Sequence, residues 1–581
     1  MNGVPVQGHI IALTIYAWGH VKCVCGLISK IIHLHAINAT IFIGQPHLER
    51  AKKEVDSHFL PGKEDRLRSL IRIVGLHCDD LPCFNITYNN NFIEQYKKLL
   101  ISEPIREEPG SDIIIPGIES PKFLILDFFL YNTLRDVRSL SGKSVPIYAL
   151  QSAATTGVLF MYGPEYLGGN GDLEEKVKGI EIEDRKLRNE KEIRIYRRCY
   201  GELVKIPGLP PMYDYEFSPQ EPNFDKYIVS FSAHVHKFML ECDGAIINTA
   251  STFEKPAIEA FQEWFGERPV ISAGPFGFPL VDKEDKEKEK DTPLDLQEQK
   301  IRSFLDSALE KYGSHSVLYI SFGSIFWFTD SSKIVPLLDV ILDQRIPFIL
   351  SIASPSAVLS EELKKRILNS GCACITTWAP QADILNHKAT GWFISHCGHN
   401  STLEALSSGV PMICCPFDAD QPSNASNLSH IQNIAYELYE LRSSHGLRPI
   451  HRLNNYQPKG TPESIKNEIK EVLKKAWGED GKRKRKNIRR IQEAIKAGWG
   501  KDGENWDGIK KIYDIAQGAF RSDGLIIEFT TVHNLRSVLE LDEYPDVLDQ
   551  LIANSVPSEL RDSYGSYHLQ SIKLNSVLEF I

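Results

Sequence analysis

Short apolar runs alternate along this chain with longer stretches in which apolar residues recur every three to four positions. Apolar runs bounded by turn residues suit strands buried on both faces, and the longer period suits amphipathic helices. In the first half the predicted strands are residues 10–16 (IIALTIY), 39–44 (ATIFIG), 123–127 (FLILD), 145–150 (VPIYAL) and 244–248 (GAIIN). In the second half they are 316–322 (SVLYISF), 347–352 (PFILSI), 373–377 (ACITT), 392–396 (WFISH) and 412–417 (MICCPF). Such alternation predicts an α/β protein with parallel sheets. Two sets of strands predict two doubly wound domains.

The break between the sets falls near Gly274-Pro275, a turn signal followed by the charge run 282–291, DKEDKEKEKD. Its lysines and acids nearly cancel, which reads as a solvated linker or loop. The expected division is residues 1–275, then 276–520, then an extension at 521–581 for which the sequence suggests no role. A polar stretch at 168–198 reads as a surface insertion with helical charge pairs. The run KRKRK at 482–486 lies in a helical pattern with Ile488, Ile491 and Ile495 inward, so a solvated helix face is preferred over a nuclear localisation patch.

Composition narrows the class. Of 581 residues, 42% are hydrophobic and 24% charged, the mix of an ordinary globular protein. Acidic residues exceed basic ones by 10, so nucleic acid is not an expected partner. Eleven scattered cysteines suggest no disulfide framework. The first ten residues lack a signal-peptide pattern, and no uncharged apolar run reaches the length of a membrane span. A cytoplasmic monomer without a transmembrane segment is the expectation.

The chemistry concentrates between Trp378 and Gln421. WFISH reads as a buried strand ending at His396, Gly398 as a tight turn, and Ser401-Thr402-Leu403-Glu404 as a capping box opening a helix that stops at Gly409. A helix N-terminus after such a turn is an anion site, because free N–H groups and the helix dipole converge there. Ligands of open α/β sheets sit at the carboxyl ends of the strands. His396, Asn400, Ser401, Trp378, the 418–421 loop and the Gly323-Ser324 turn all fall on that edge. A base, a sugar and a phosphate could be held along it.

The segment WAPQADILNH…GWFISHCGHNSTLEALSSGVPMICCPFDADQ, 44 residues from Trp378 to Gln421, resembles the nucleotide-sugar-binding signature of the plant-type family 1 UDP-glycosyltransferases. Weaker similarity extends to SVLYISFGS, to PGLPPM at 207–212 and to INTASTFEKPA at 247–257. The resemblance implies the GT-B architecture, with an acceptor-binding N-terminal domain and a UDP-sugar-binding C-terminal domain. It implies that Trp378 stacks on uracil, with Ala379 and Gln381 nearby. Glu404 would take the ribose hydroxyls. His396, Asn400, Ser401 and Ser324 would hold the diphosphate, and Asp420 and Gln421 the transferred sugar. Gln at the final position usually accompanies UDP-glucose in that family. His399 stands where the plant pattern has Trp, a position used largely through its backbone near the sugar. His20, after a strand and Gly19, resembles the family's general base, and Asp127 the aspartate that pairs with it. An alcohol must lose a proton as it attacks the anomeric carbon, and imidazole titrates near working pH. A carboxylate on the other ring nitrogen fixes the tautomer, as in a Ser-His-Asp arrangement.

The implied reaction is inverting transfer of a hexose, with UDP-glucose the expected donor, to a hydroxyl of a small lipophilic acceptor, with no metal and no other cofactor. The alternative is a non-catalytic nucleotide-sugar-binding subunit of a glycosylation complex, against which the His20–Asp127 pair speaks. Asp418-Ala419-Asp420 also resembles an Asp-x-Asp metal motif. Cys372, Cys374, His387, His396, Cys397, His399, Cys414 and Cys415 could suggest zinc, but paired Cys-x₂-Cys spacing is missing. A nicotinamide oxidoreductase fails because no predicted strand is followed by a Gly-x-Gly-x-x-Gly fingerprint.

Overall fold

The computed structural model describes residues 8–78, 86–178, 180–182, 184–221, 228–278, 296–517, 519–522 and 525–528. The charge run at 282–291 and all of 529–581 lie outside them.

The first domain is built on seven parallel strands: β1 (His9–Leu13), β2 (Asn38–Gly44), β3 (Ile71–Leu76), β4 (Phe123–Asp127), β5 (Ile147–Gln151), β6 (Gly244–Ile247) and β7 (Val270–Ser272), ordered β7-β6-β5-β4-β1-β2-β3. Register is direct, with Ile11 opposite Leu124 and Thr40. Every residue of β1, β4 and β5 is buried, as expected of strands covered on both faces by helices. The second domain carries β8 (Val317–Ser321), β9 (Phe348–Ser351), β10 (Ala373–Thr376), β11 (Thr390–Ser395), β12 (Met412–Cys414) and β13 (Ala435–Glu437), ordered β10-β9-β8-β11-β12-β13 and again parallel. The strand order reverses between β1 and β4 in one sheet and between β8 and β11 in the other. Those two switch points are where ligands bind in such folds.

Helices α1 (Trp18–Leu34) and α2 (Leu48–Asp56) follow β1 and β2, and α3 (Thr155–Tyr162) follows β5. The polar stretch near 168–198 contains α4 (Arg185–Arg197), capped by the Asp184 side chain on the N–H groups of Lys186 and Leu187. In the second domain α5 (Gln381–Asn386) follows β10 and α6 (His399–Ser408) follows β11. Two C-terminal helices, α7 (Glu479–Gly498) and α8 (Glu504–Ala516), close the described chain. α8 returns to the first domain: the Tyr513 ring stacks on His35 at 3.6 Å, and Gly508 approaches the Ser272 backbone where a Cβ would not fit. Ala519–Ser522 and Leu525–Glu528 pair as an antiparallel ribbon that straddles the expected start of the extension.

Three strands of the two large sheets escape the sequence reading. β3 carries an arginine within its run, and β7 and β13 are only three residues long, too short to display a period. The KRKRK run is also only partly solvated. Lys484 is buried and donates to Asn433 at 2.7 Å, while Arg485 donates to the Gly391 carbonyl and lies over Trp392. Between the domains, buried Arg452 bonds Glu216 of the first domain at 3.1 Å and Glu437 of the second at 2.8 Å. Among the described residues no helix is long and apolar enough to cross a membrane.

Candidate active site

His20 sits in the first turn of α1, just beyond β1, and Asp127 is the last residue of neighbouring β4. Parallel pairing at the switch point therefore brings together two residues far apart in sequence. His20 Nδ1 lies 2.6 Å from Asp127 Oδ2. The carboxylate is buried and also accepts from the Thr14 hydroxyl at 2.9 Å and the Phe129 N–H at 3.2 Å. A carboxylate can only accept, so the proton of a neutral imidazole belongs on Nδ1 and the lone pair on Nε2. Ser152, at the end of β5, places its hydroxyl 2.8 Å from Nδ1 and 3.4 Å from Nε2. Nothing in the sequence singles out Ser152, because only the sheet register brings it to His20. The Phe129 ring lies 5.4 Å from the imidazole, leaving an apolar wall beside it.

The second domain contributes the facing edge. His396 follows β11 and is buried, and burial lowers its pKa to about 4, so the ring is neutral near pH 7. Its approach depends on two glycines. A Cβ on Gly323, which has φ +79°, would lie 2.7 Å from His396 Nε2, and one on Gly398 would lie 2.5 Å away. Ser324 is exposed in the same turn. The expected capping box is corrected by the structure. α6 starts at His399, with Gly398 as N-cap and no side-chain cap, so Ser401 and Glu404 lie inside the helix. They face α5 instead: Gln381 Nε2 donates to Ser401 Oγ at 3.1 Å and Glu404 Oε2 at 2.8 Å, while its Oε1 accepts from Tyr319 at 3.2 Å.

Trp378 follows β10 and is 43% exposed, and Gln297 donates to its carbonyl at 2.7 Å. Ala379 beside it is buried. Two first-domain cations reach this edge. Arg50 lies over the Trp378 ring at 3.8 Å, and Lys22 meets Glu404 at 2.5 Å. Burial opposes the Lys22 charge, but Glu404 and Glu54 outweigh it and raise its pKa. Neither cation was singled out in the sequence, where each is one charge on an amphipathic helix.

The start of α6 also touches the first domain. Asn400 donates to the Gly19 carbonyl at 2.9 Å, and His399 Nε2 donates to the Asn248 carbonyl at 2.7 Å. His399 thus uses its side chain as an interdomain tie, unlike the backbone use implied by the resemblance. Asp420 is buried and accepts from the Ala154 N–H at 2.9 Å; burial raises its pKa, partly offset by His399 and that N–H. Asp418 forms a two-pronged pair with Arg197 of α4, both contacts at 3.3 Å. Gln421 Oε1 accepts from the Phe417 N–H at 2.9 Å, leaving its Nε2 as a donor. Both aspartates of the Asp-x-Asp sequence are thus engaged by protein donors, and among the described residues no His/Cys/Asp/Glu cluster could hold a metal.

A family model described as UDP-glucoronosyl and UDP-glucosyl transferase matches residues 292–448, the stretch that carries the whole second-domain edge. Most of the chain is similar to UDP-glycosyltransferase eriJ of Hericium erinaceus, 27% identical over 493 residues, which cover 81% of this chain and 90% of that protein. These matches make it a UDP-glycosyltransferase similar to those of family 1. This UDP-glycosyltransferase is also 28% identical to UDP-glycosyltransferase 72B1 of Arabidopsis thaliana, over 73% of this chain and 80% of that one. Among solved structures, Phytolacca americana UGT2 complexed with UDP-2fluoro-glucose and pterostilbene superimposes with a TM-score of 0.61 at 18% identity, covering 88% of this chain and all of that one. The glycosyltransferase has the GT-B fold of two Rossmann-like domains.

Proposed function

We infer that this glycosyltransferase moves a hexose, with glucose favoured, from a UDP-sugar to a hydroxyl of a small apolar acceptor, inverting the anomeric centre. The 2.6 Å contact between His20 and Asp127 carries the reading. It leaves Nε2 to take the acceptor proton, while Asp127 stabilises the imidazolium that forms. Attack from the first domain on a sugar held by the second inverts the carbon if nucleophile and leaving UDP are in line. Uracil would stack on Trp378, the ribose hydroxyls would bond Glu404, and His396, Asn400, Ser401 and Ser324 would hold the diphosphate. Asp420, Gln421 and the His399 region would hold the sugar. The Phytolacca americana structure is complexed with UDP-2fluoro-glucose and pterostilbene together, which supports a UDP-sugar donor and a small acceptor here. Phe129, beside His20 and edge-on to Tyr162, favours an apolar acceptor. A binding-only subunit would have no use for the His20–Asp127 pair.

The test is turnover. Purified protein with UDP-glucose and a panel of phenols, sterols, terpenoids and hydroxylated lipids should yield a product heavier by one hexose by mass spectrometry. NMR of that product should show inverted anomeric configuration. Retention, or no transfer from any UDP-sugar across the panel, would overturn the reading.

A further inference from the structure

The groups assigned to uracil and ribose each carry a cation from the opposite domain. Arg50 of α2 places its guanidinium 3.3 Å from the Trp18 ring centroid and 3.8 Å from that of Trp378. Two indoles cannot approach one face of a planar group at those distances, so the guanidinium lies between them. Arg50 reaches Trp378 from across the cleft, so the face it covers is the one a base in the cleft would need. The guanidinium is poorly satisfied there. Its Nη2 is buried without a hydrogen-bond partner, and burial lowers its pKa to about 10 against the opposing pull of Glu54. Lys22, one turn into α1, places Nζ 2.5 Å from Glu404 Oε1, while Gln381 holds the other oxygen.

We propose that Arg50 and Lys22 determine donor affinity by competition: UDP-sugar binds by displacing Arg50 from Trp378 and Lys22 from Glu404. The proposal rests on the assignment of Trp378 and Glu404 to uracil and ribose. Cation–π stacking and an ion pair are what a stacked base and two ribose hydroxyls must replace. Glu54 interacts electrostatically with both cations, which gives them a carboxylate partner when they leave the donor groups. A site filled part of the time by its own side chains binds more weakly, in proportion to the fraction of time it is free. Removing either side chain therefore frees its own half of the site.

Calorimetric titration of the full chain with UDP tests this in Arg50→Ala, Lys22→Met and Trp378→Ala. Arg50→Ala should tighten UDP about threefold or more, and Lys22→Met, an independent second variant, should act in the same direction. Trp378→Ala should weaken UDP more than about tenfold, in line with loss of a stacking platform. Equal or weaker UDP binding in both Arg50→Ala and Lys22→Met, with Trp378→Ala impaired, overturns the competition and leaves the nucleotide site standing. Wild-type UDP binding in Trp378→Ala overturns the site assignment and this proposal with it.

Discussion

His20 and Asp127 meet at 2.6 Å from the ends of elements on either side of the first sheet's switch point, and the Thr14 hydroxyl fixes the same carboxylate oxygen from β1. The aspartate is fully buried, whereas the His20 side chain keeps 19% of its surface. One partner is fixed in the core and the other remains accessible from the cleft. That asymmetry is what an oriented general base requires.

Replacing His20 with Ala should reduce transfer to an alcohol acceptor by about 10²–10⁴-fold, the usual worth of general-base catalysis, with UDP affinity near wild type. Asp127→Asn should also lower kcat, by an amount that depends on how its amide reorients among Thr14, Phe129 and His20. Steady-state rates on an alcohol, with UDP titrations alongside, check both. An acidic phenol would mask the effect because it ionises unaided.

His396 predicts an acid sensitivity. Its folded pKa of about 4 lies below the ordinary 6.5 because burial disfavours the imidazolium. The unfolded chain therefore takes up the proton first. The stability held above pH 6.5 is lost as pH falls toward 4, by an amount on the order of 3 kcal/mol across that window. Denaturant titrations of wild type and His396→Gln between pH 7 and 4 should show a shallower decline in the variant. Equal slopes would mean that the ring is not buried neutral.

The same groups predict metal independence. Asp418 is tied to Arg197 and Asp420 to the Ala154 N–H, while the α6 N-terminus and His396 would take the diphosphate in the proposed site. Activity should therefore survive excess EDTA. Complete loss, restored by manganese, would instead give Asp418 and Asp420 to a divalent ion.

The two Rossmann-like domains, and the gathering of Trp378, His396 and Asp420 at one strand edge, were legible because strand runs such as FLILD and WFISH are continuous, and the 44-residue signature fixes its own spacing. β3, β7 and β13 were not, being interrupted by a charge or too short to show a period. The helix start at His399 was also misread. Ser401 and Glu404 have capping-box spacing, but Gly398 sets the turn and both side chains serve Gln381. Ser152, Lys22, Arg50 and Arg197 stayed hidden for another reason. Their partners lie across a sheet or across the cleft, and contacts of that range leave no local pattern.

The donor sugar is the sharpest expectation. Gln421 Oε1 accepts from the Phe417 and Asp418 N–H groups, so its carboxamide offers the sugar Nε2 as donor, not both functions. Asp420 uses Oδ2 for the Ala154 N–H and the Asn424 amide, which leaves Oδ1 as acceptor. One fixed donor beside one fixed acceptor suits two adjacent equatorial hydroxyls, as at positions 3 and 4 of glucose. Inverting the 4-hydroxyl leaves one of these groups unpaired, at a cost on the order of 1–3 kcal/mol, or roughly ten- to a hundredfold in rate. UDP-glucose should therefore outpace UDP-galactose. Gln421→Glu keeps an acceptor for the Phe417 N–H but removes the donor, so it should narrow the preference without freeing the loop; Gln421→Ala removes both. Competition among UDP-glucose, UDP-galactose, UDP-xylose and UDP-glucuronate on one acceptor decides it. A Gln421→Glu variant with an unchanged glucose-to-galactose ratio would place sugar discrimination elsewhere in the cleft.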